Sequence, residues 1–180
     1  MARLLRQQGF AATGLNDLVA ASGAPKGSLY HYFPGGKAEL AAEALVFAGG
    51  LVQSTLEALR QTERGPAAMV RAYGALLAGW MEKSGFSDGC PITTTLLETA
   101  PDDARLAGIG RDAFAAWQDV FAGALREAGA EADRAEDLAM SAIMMIEGAL
   151  ILARVRREAT PIRVATEQVA SLFETAIARG

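Results

Sequence analysis

Hydrophobic residues along the chain recur every three to four positions, which is the period of an amphipathic α-helix. Gly and Pro interrupt this pattern at intervals, and each interruption predicts the end or the beginning of a helix. No segment alternates apolar and polar residues with the period of two that a strand shows. The pattern predicts an all-α protein with helices over residues 2–8, 15–22, 25–33, 37–62, 66–83, 92–99, 101–128, 132–157 and 161–179.

The helices change in length near residues 37–50, where short helices are followed by long ones. This change predicts an N-terminal domain of residues 1–45 and a larger C-terminal domain of residues 46–180. Gly49 and Gly50 lie inside the fourth helix, although a glycine costs about 0.8–1.0 kcal/mol relative to alanine in a helix interior. Close packing against a neighbour and a bend of the helix are the two reasons we consider for this pair.

Charge is distributed unevenly along the chain. The 180 residues have a formal net charge of −4, yet residues 1–40 carry four basic against two acidic side chains. A weakly basic end on an acidic body is typical of a protein that touches DNA at one end only.

Residues 13–33 read as two short helices joined at Gly23, and this arrangement predicts a helix-turn-helix. Leu29 and Phe33, four positions apart, form the inner face of the second helix. The opposite face carries hydrogen-bond donors and a glycine, namely Lys26, Gly27, Tyr30 and His31. A recognition helix that enters a major groove needs such a face. A helix pair that serves packing alone is the alternative interpretation.

The string Gly-Ala-Pro-Lys-Gly-Ser-Leu-Tyr-His-Tyr-Phe, followed by Lys37 and Leu40, resembles the DNA-binding signature of TetR-type regulators. Gly-Cys-Pro at 89–91, followed by three threonines, resembles the sensor domain of the LmrA/YxaF-like branch. Family members carry a longer first helix, so we expect the native chain to extend before Met1. The resemblance implies that these positions contact DNA: Thr13, Lys26, Gly27, Ser28, Tyr30, His31 and Lys37.

The sequence offers little chemistry for catalysis. His31 is the only histidine and Cys90 the only cysteine, so the C-terminal domain has neither a Ser-His-Asp nor a Cys-His arrangement. We therefore expect no enzyme, no metal and no cofactor. A single cysteine cannot form an internal disulfide, and no secretory signal is present, which together favour the cytoplasm. The apolar stretch 138–153 is shorter than a membrane span of about 20 residues.

Large apolar side chains recur at helical spacing in the C-terminal domain. Ordinary core packing is one interpretation, and an adaptable apolar pocket for a small molecule is the other. With two polar anchors, Thr94 and Glu147, the predicted ligand-binding residues are Met69, Tyr73, Trp80, Thr94, Leu97, Phe114, Trp117, Phe121, Met144 and Glu147.

Apolar residues of the last two helices also recur at helical spacing, which predicts a four-helix dimer interface. The predicted interface residues are Ala142, Met145, Ile146, Ala149, Leu150, Ala153, Ile162, Val169, Leu172, Phe173 and Ala176.

The sequence therefore predicts a homodimeric, ligand-responsive repressor that binds a palindromic operator in double-stranded DNA. A small apolar or aromatic effector would release it. A helical enzyme or carrier is one rival, and the lack of a catalytic histidine and cysteine argues against the enzyme. A dimeric ligand-binding or interaction protein that does not bind DNA is the second rival.

Overall fold

The computed structural model describes residues 1–23 and 25–178, with only the backbone of Lys26. All regular elements in these ranges are α-helices, so the predicted fold class is confirmed. In chain order the helices are α1 Ala2–Gln8, α2 Leu15–Ser22, α3 Lys26–Tyr32, α4 Gly36–Thr62, α5 Pro66–Lys83, α6 Pro91–Thr99, α7 Ala104–Glu127, α8 Ala132–Arg156 and α9 Thr160–Ile177.

The start of α7 differs most from its prediction, by three residues. The predicted start at Pro101 is wrong because the chain first turns, with the N–H groups of Asp102 and Asp103 donating to the Thr99 carbonyl. The Asp103 carboxylate then accepts the Leu106 N–H at 3.0 Å and caps the helix. An aspartate at this position satisfies a backbone donor that the helix itself leaves unpaired.

The turn between α2 and α3 depends on Gly23. This residue has a φ of 67°, in the left-handed region, and its N–H donates to the Val19 carbonyl at 3.0 Å. Glycine adopts this conformation without the steric cost of a side chain, so α2 ends here and the chain reverses into α3. At the other end of α2 the Asp17 carboxylate accepts the Gly14 N–H at 3.1 Å.

The chain forms two compact units. The first comprises residues 1–50 and 90–113, and the second comprises residues 51–89 and those from 114 onward. The first unit thus contains α6 and the start of α7, which the predicted boundary at residue 45 assigned to the C-terminal domain.

In the first unit, α1 packs against α6. The Thr94 hydroxyl of α6 donates to the carbonyl of Leu5 in α1 at 2.9 Å. The core side chains around this contact are at most 4% exposed and include Leu5, Leu18, Leu45, Ile92 and Leu106.

In the second unit, α9 packs against both α5 and α8. A Cβ added at Gly74 of α5 would lie 2.4 Å from the Thr166 hydroxyl oxygen of α9, so the glycine permits a close approach of these helices. The Arg71 guanidinium of α5 donates to the carboxylates of Glu167 and Glu174 in α9 and lowers the pKa of Glu167. These contacts hold α5 and α9 in one register.

Candidate functional site

The outer face of α3 is open to solvent. Tyr30 is 48% exposed, His31 is exposed, and no atom lies within 4 Å of the place where a Cβ of Gly27 would be. Ser28 is half-buried, and its N–H donates to the Pro25 carbonyl. The Lys26 side chain, also predicted to contact DNA, lies outside the described residues. The face can therefore approach another surface closely and offers side-chain donors to it.

Lys37 lies in the first turn of α4 and contacts the turn between α1 and α2. Its Nζ donates to the Ala11 carbonyl at 3.2 Å and sits 4.3 Å from the centre of the Phe10 ring. The ammonium has three donors, so one hydrogen bond to the backbone leaves it able to bind an anion as well. The structure thus gives Lys37 a packing role that the sequence did not indicate.

The structure buries Thr13, which was predicted to contact DNA, in the turn between α1 and α2. Thr13 is fully buried, and its hydroxyl donates to the Gly9 carbonyl at 2.7 Å. Its N–H donates to the Phe10 carbonyl at 3.2 Å. Both donors of Thr13 therefore stabilise the turn between α1 and α2.

The second unit contains a small apolar cavity of about 10 Å³, near the minimum that holds one water molecule. Among the described side chains that line it, Glu147 carries the only formal charge. Four predicted ligand-binding residues meet at this cavity, namely Tyr73, Trp117, Phe121 and Glu147. The other lining residues are Val52, Leu56, Ile143 and Ile146. No local sequence signal marks these four aliphatic residues as cavity-lining, because aliphatic residues at helical spacing occur throughout the core.

Six predicted ligand-binding residues lie away from this cavity. Trp80, Leu97 and Met144 are 42%, 75% and 61% exposed, so they point to solvent from the protomer. Phe114 packs edge-on against Trp117, with ring centres 5.3 Å apart. The remaining two are Met69, which lines a separate depression beside Arg60 and Glu127, and Thr94, which belongs to the first unit.

A wider groove of about 610 Å³ lies in the first unit among α1, α2, α3 and the start of α4. Its lining is mainly apolar and includes Leu4, Leu18, Leu29, Tyr32 and Leu40. Tyr32 is 72% exposed, so the groove is an open surface of the helix-turn-helix.

Comparison with known proteins assigns both halves of the chain. Residues 2–44 match the description "bacterial regulatory proteins, tetR family", and residues 66–168 match "transcriptional regulator LmrA/YxaF-like, C-terminal domain". The chain belongs to the TetR family of transcriptional regulators. The resemblance found in the sequence is thereby confirmed. TetR-family proteins are regulators and not enzymes, as expected for this chain.

Individual TetR-family proteins resemble the chain over most of its length. The HTH-type transcriptional regulator YxaF of Bacillus subtilis is 35% identical over 93% of this chain and 87% of its own. The HTH-type transcriptional regulator LmrA of the same organism is 31% identical over 89% of this chain and 85% of its own. A crystal structure of a regulatory protein TetR from Rhodobacter sphaeroides shares the fold, with a TM-score of 0.84 at 23% identity, over 93% of this chain and 92% of that one.

TetR-family regulators bind DNA and dimerise, but most residues predicted for the dimer interface are buried within the protomer. Eight of them are at most 8% exposed within the protomer: Ala142, Ile146, Ala149, Leu150, Ala153, Ile162, Val169 and Phe173. Met145 and Ala176 are half-buried, and Leu172 is 39% exposed. The prediction selected the inner face of α8 and α9, where the two helices pack against each other and the rest of their own unit.

The outer face of α8 is also apolar. Met140, Met144, Ile151, Leu152 and Val155 are between 49% and 76% exposed, and we call this set the outer stripe. Gly148 lies between Met144 and Ile151, with open space where its Cβ would be. By length and composition α8 is apolar enough to cross a membrane, with 39% of its most apolar window buried. The exposed apolar residues of the outer stripe also account for the apolar composition of α8.

Proposed function

We propose that the chain is a cytoplasmic, ligand-responsive repressor that binds a palindromic operator as a homodimer and is released by a small apolar or aromatic effector. The exposed outer face of α3 is the observation that carries the proposal. A major groove admits an α-helix, and the recognition helix of a helix-turn-helix reads base edges with residues near its N-terminus. Gly27 allows close approach there, and Tyr30 and His31 supply donors.

Lys37 is proposed to bind a DNA phosphate. It lies in the first turn of α4, where unpaired backbone N–H groups and the helix dipole favour an anion. Its hydrogen bond to Ala11 restrains the ammonium, so less side-chain entropy is lost when a phosphate binds.

The outer stripe of α8 is proposed as the centre of the dimer interface. An exposed apolar surface of this kind, with a glycine that allows close approach, is typical of a protein–protein contact. α8 and α9 from two protomers would form a four-helix bundle. A dimer can place two recognition helices in successive major grooves, roughly 34 Å apart, and a palindromic operator mirrors that symmetry.

The cavity beside Trp117 is proposed as the place where the effector enters. A site for a drug-sized molecule has roughly 300–1,000 Å³, so this cavity must open before a ligand fits. The ligand-bound conformation then differs from the empty one, as switching requires. To shift the population ratio of the two conformations from 1:99 to 99:1, the effector must bind the favoured conformation more tightly by about 5.5 kcal/mol.

Selection of duplexes from a randomised DNA pool tests the DNA-binding proposal. We expect the protein to select a palindrome, and Lys37→Ala to weaken binding and reduce the slope of log affinity against log salt by about one. Lys83→Ala is the matched control, because Lys83 is an exposed lysine at the end of α5 in the second unit. If the protein selects no sequence, the rival without DNA binding is favoured. If both variants lose equal affinity, the assignment of Lys37 is wrong.

A further inference from the structure

The turn between α1 and α2 is held by a carboxylate from a distant part of the chain. Glu98, near the end of α6, accepts the Phe10 N–H on Oε1 at 3.1 Å and the Ala11 N–H on Oε2 at 2.6 Å. Hydrogen bonds to an ionised acceptor are stronger than those between neutral groups. Two adjacent backbone donors of the helix-turn-helix unit are thus satisfied by one side chain.

Gly9 is required for this contact. It has a φ of 79°, and a Cβ there would lie 1.8 Å from Glu98 Oε1. Any side chain at residue 9 would therefore displace the carboxylate.

The same turn is held on its other side by Lys37, whose Nζ donates to the Ala11 carbonyl. α6 thus binds the N–H of Ala11, and the first turn of α4 binds its carbonyl. One turn before Glu98, the Thr94 hydroxyl donates to the carbonyl of Leu5 in α1. α6 therefore holds the end of α1 and the following turn at two points.

We propose that Glu98 is a positioning residue for DNA recognition: it fixes the α1–α2 turn on α6 and so sets the orientation of α2 and α3 in their unit. This inference rests on the proposed function, since it concerns how the same unit reads an operator. Glu98 itself touches no DNA in this scheme. Its contribution is to hold one arrangement of the helices before the protein meets its operator.

Because Glu98 is negatively charged, its removal has different effects on DNA binding if it positions the helices than if it only repels phosphates. Removing an acidic side chain from a DNA-binding unit reduces repulsion of the phosphates and should strengthen binding to any DNA sequence. Loss of positioning should instead weaken binding to the operator alone, because base contacts require a fixed helix orientation. Unfolding of the unit would weaken both kinds of binding.

The test compares Glu98→Gln and Glu98→Ala with the unaltered protein on two duplexes. One is the palindrome selected by the unaltered protein, and the other is a scrambled duplex of equal length. The amide of Gln can accept one N–H but cannot replace both carboxylate oxygens. We expect Glu98→Ala to weaken operator binding by about tenfold or more and Glu98→Gln by less, with scrambled-DNA binding equal or slightly tighter.

Glu43→Gln is the matched control, because Glu43 is an exposed carboxylate in the same unit, 4.0 Å from Arg105, and holds no turn. Its removal changes the charge equally. If Glu98→Gln and Glu98→Ala behave like Glu43→Gln, or lose affinity for both duplexes together, the proposal is overturned. If the unaltered protein selects no palindrome, the proposed function is wrong, and the inference that rests on it is refuted as well.

A second comparison does not depend on the Glu98 variants alone. Gly9→Ala should weaken operator binding in the unaltered background, because its Cβ displaces the carboxylate. In the Glu98→Ala background the same change should have a smaller effect, since only backbone strain remains. Equal effects in both backgrounds would show that Gly9 and Glu98 act independently and would refute the proposal.

Discussion

The two glycines in α4 allow one prediction that separates helix propensity from packing. Gly49 is buried, and an added Cβ would lie 3.0 Å from the Ala113 Cβ and 3.5 Å from the Ile92 Cδ1. Gly50 is exposed and has no atom within 4 Å of its Cβ position. Both lie inside one continuous helix, so alanine gains the same helix propensity at either position.

Gly50→Ala should raise the free energy of unfolding by about 0.8–1.0 kcal/mol, which is the propensity difference between alanine and glycine. For a chain of this size such a gain corresponds to about 2–4 °C in melting temperature. Gly49→Ala gains the same amount but introduces a contact that costs about 1–3 kcal/mol of overpacking. The two variants should therefore differ by that overpacking cost, with Gly49→Ala the less stable.

Chemical denaturation at one fixed protomer concentration measures both variants, because dimerisation makes the transition concentration-dependent. Ala113→Gly is the control that removes the opposing methyl group. In that background Gly49→Ala should recover the stabilisation seen for Gly50→Ala. If Gly49→Ala is already as stable as Gly50→Ala in the unaltered chain, the argument from close packing is wrong.

Three further predictions concern the second unit. Gly74→Ala should destabilise the protein by about 1–3 kcal/mol in denaturation, because its Cβ would overlap Thr166; an unchanged midpoint would exclude the close α5–α9 approach. Val155→Asp in the outer stripe should shift sedimentation from dimer to monomer, whereas Leu97→Asp, equally exposed on α6, should leave it unchanged. Ligand binding should alter Trp117 fluorescence, and Tyr73→Phe should change ligand affinity with little effect on melting temperature; the reverse pattern would assign both residues to plain core.

Local signals in the sequence were sufficient for the helices and the helix-turn-helix. Gly23 ends α2 through its own backbone conformation, and Pro66 begins α5 at its first residue, so neighbouring residues determine these boundaries. The same reasoning predicted the exposed face of α3, because Leu29 and Phe33 form the inner face of this helix and Tyr30 and His31 lie on the opposite one.

Contacts between distant residues could not be predicted in this way. Glu98 binds backbone groups 87 and 88 residues away, and nothing next to it in the sequence indicates that target. The two apolar faces of α8 illustrate the same limit: periodicity shows that Ile146 and Met144 are apolar, but only packing shows that the first is 5% exposed and the second 61%. Thr13 is a different case, because its hydroxyl donates to the Gly9 carbonyl only four residues away, and the pattern of residues does not show that this local contact buries it.

The length of α4 sets the scale of motion that the proposed release requires. Its 27 residues correspond to about 40 Å, so a rigid tilt of about 5° about one end moves the other end by about 3.4 Å, close to one base step of DNA. If the helix bends at Gly50 instead, the arm that carries the N-terminal helices is only about 21 Å long and needs about 9° for the same displacement. A rigid α4 would therefore need a smaller angular change near the effector to shift the N-terminal helices by the same distance along the operator. Angular change in α4 between the empty and effector-bound proteins, measured by distances between paired spin labels, would distinguish the two cases.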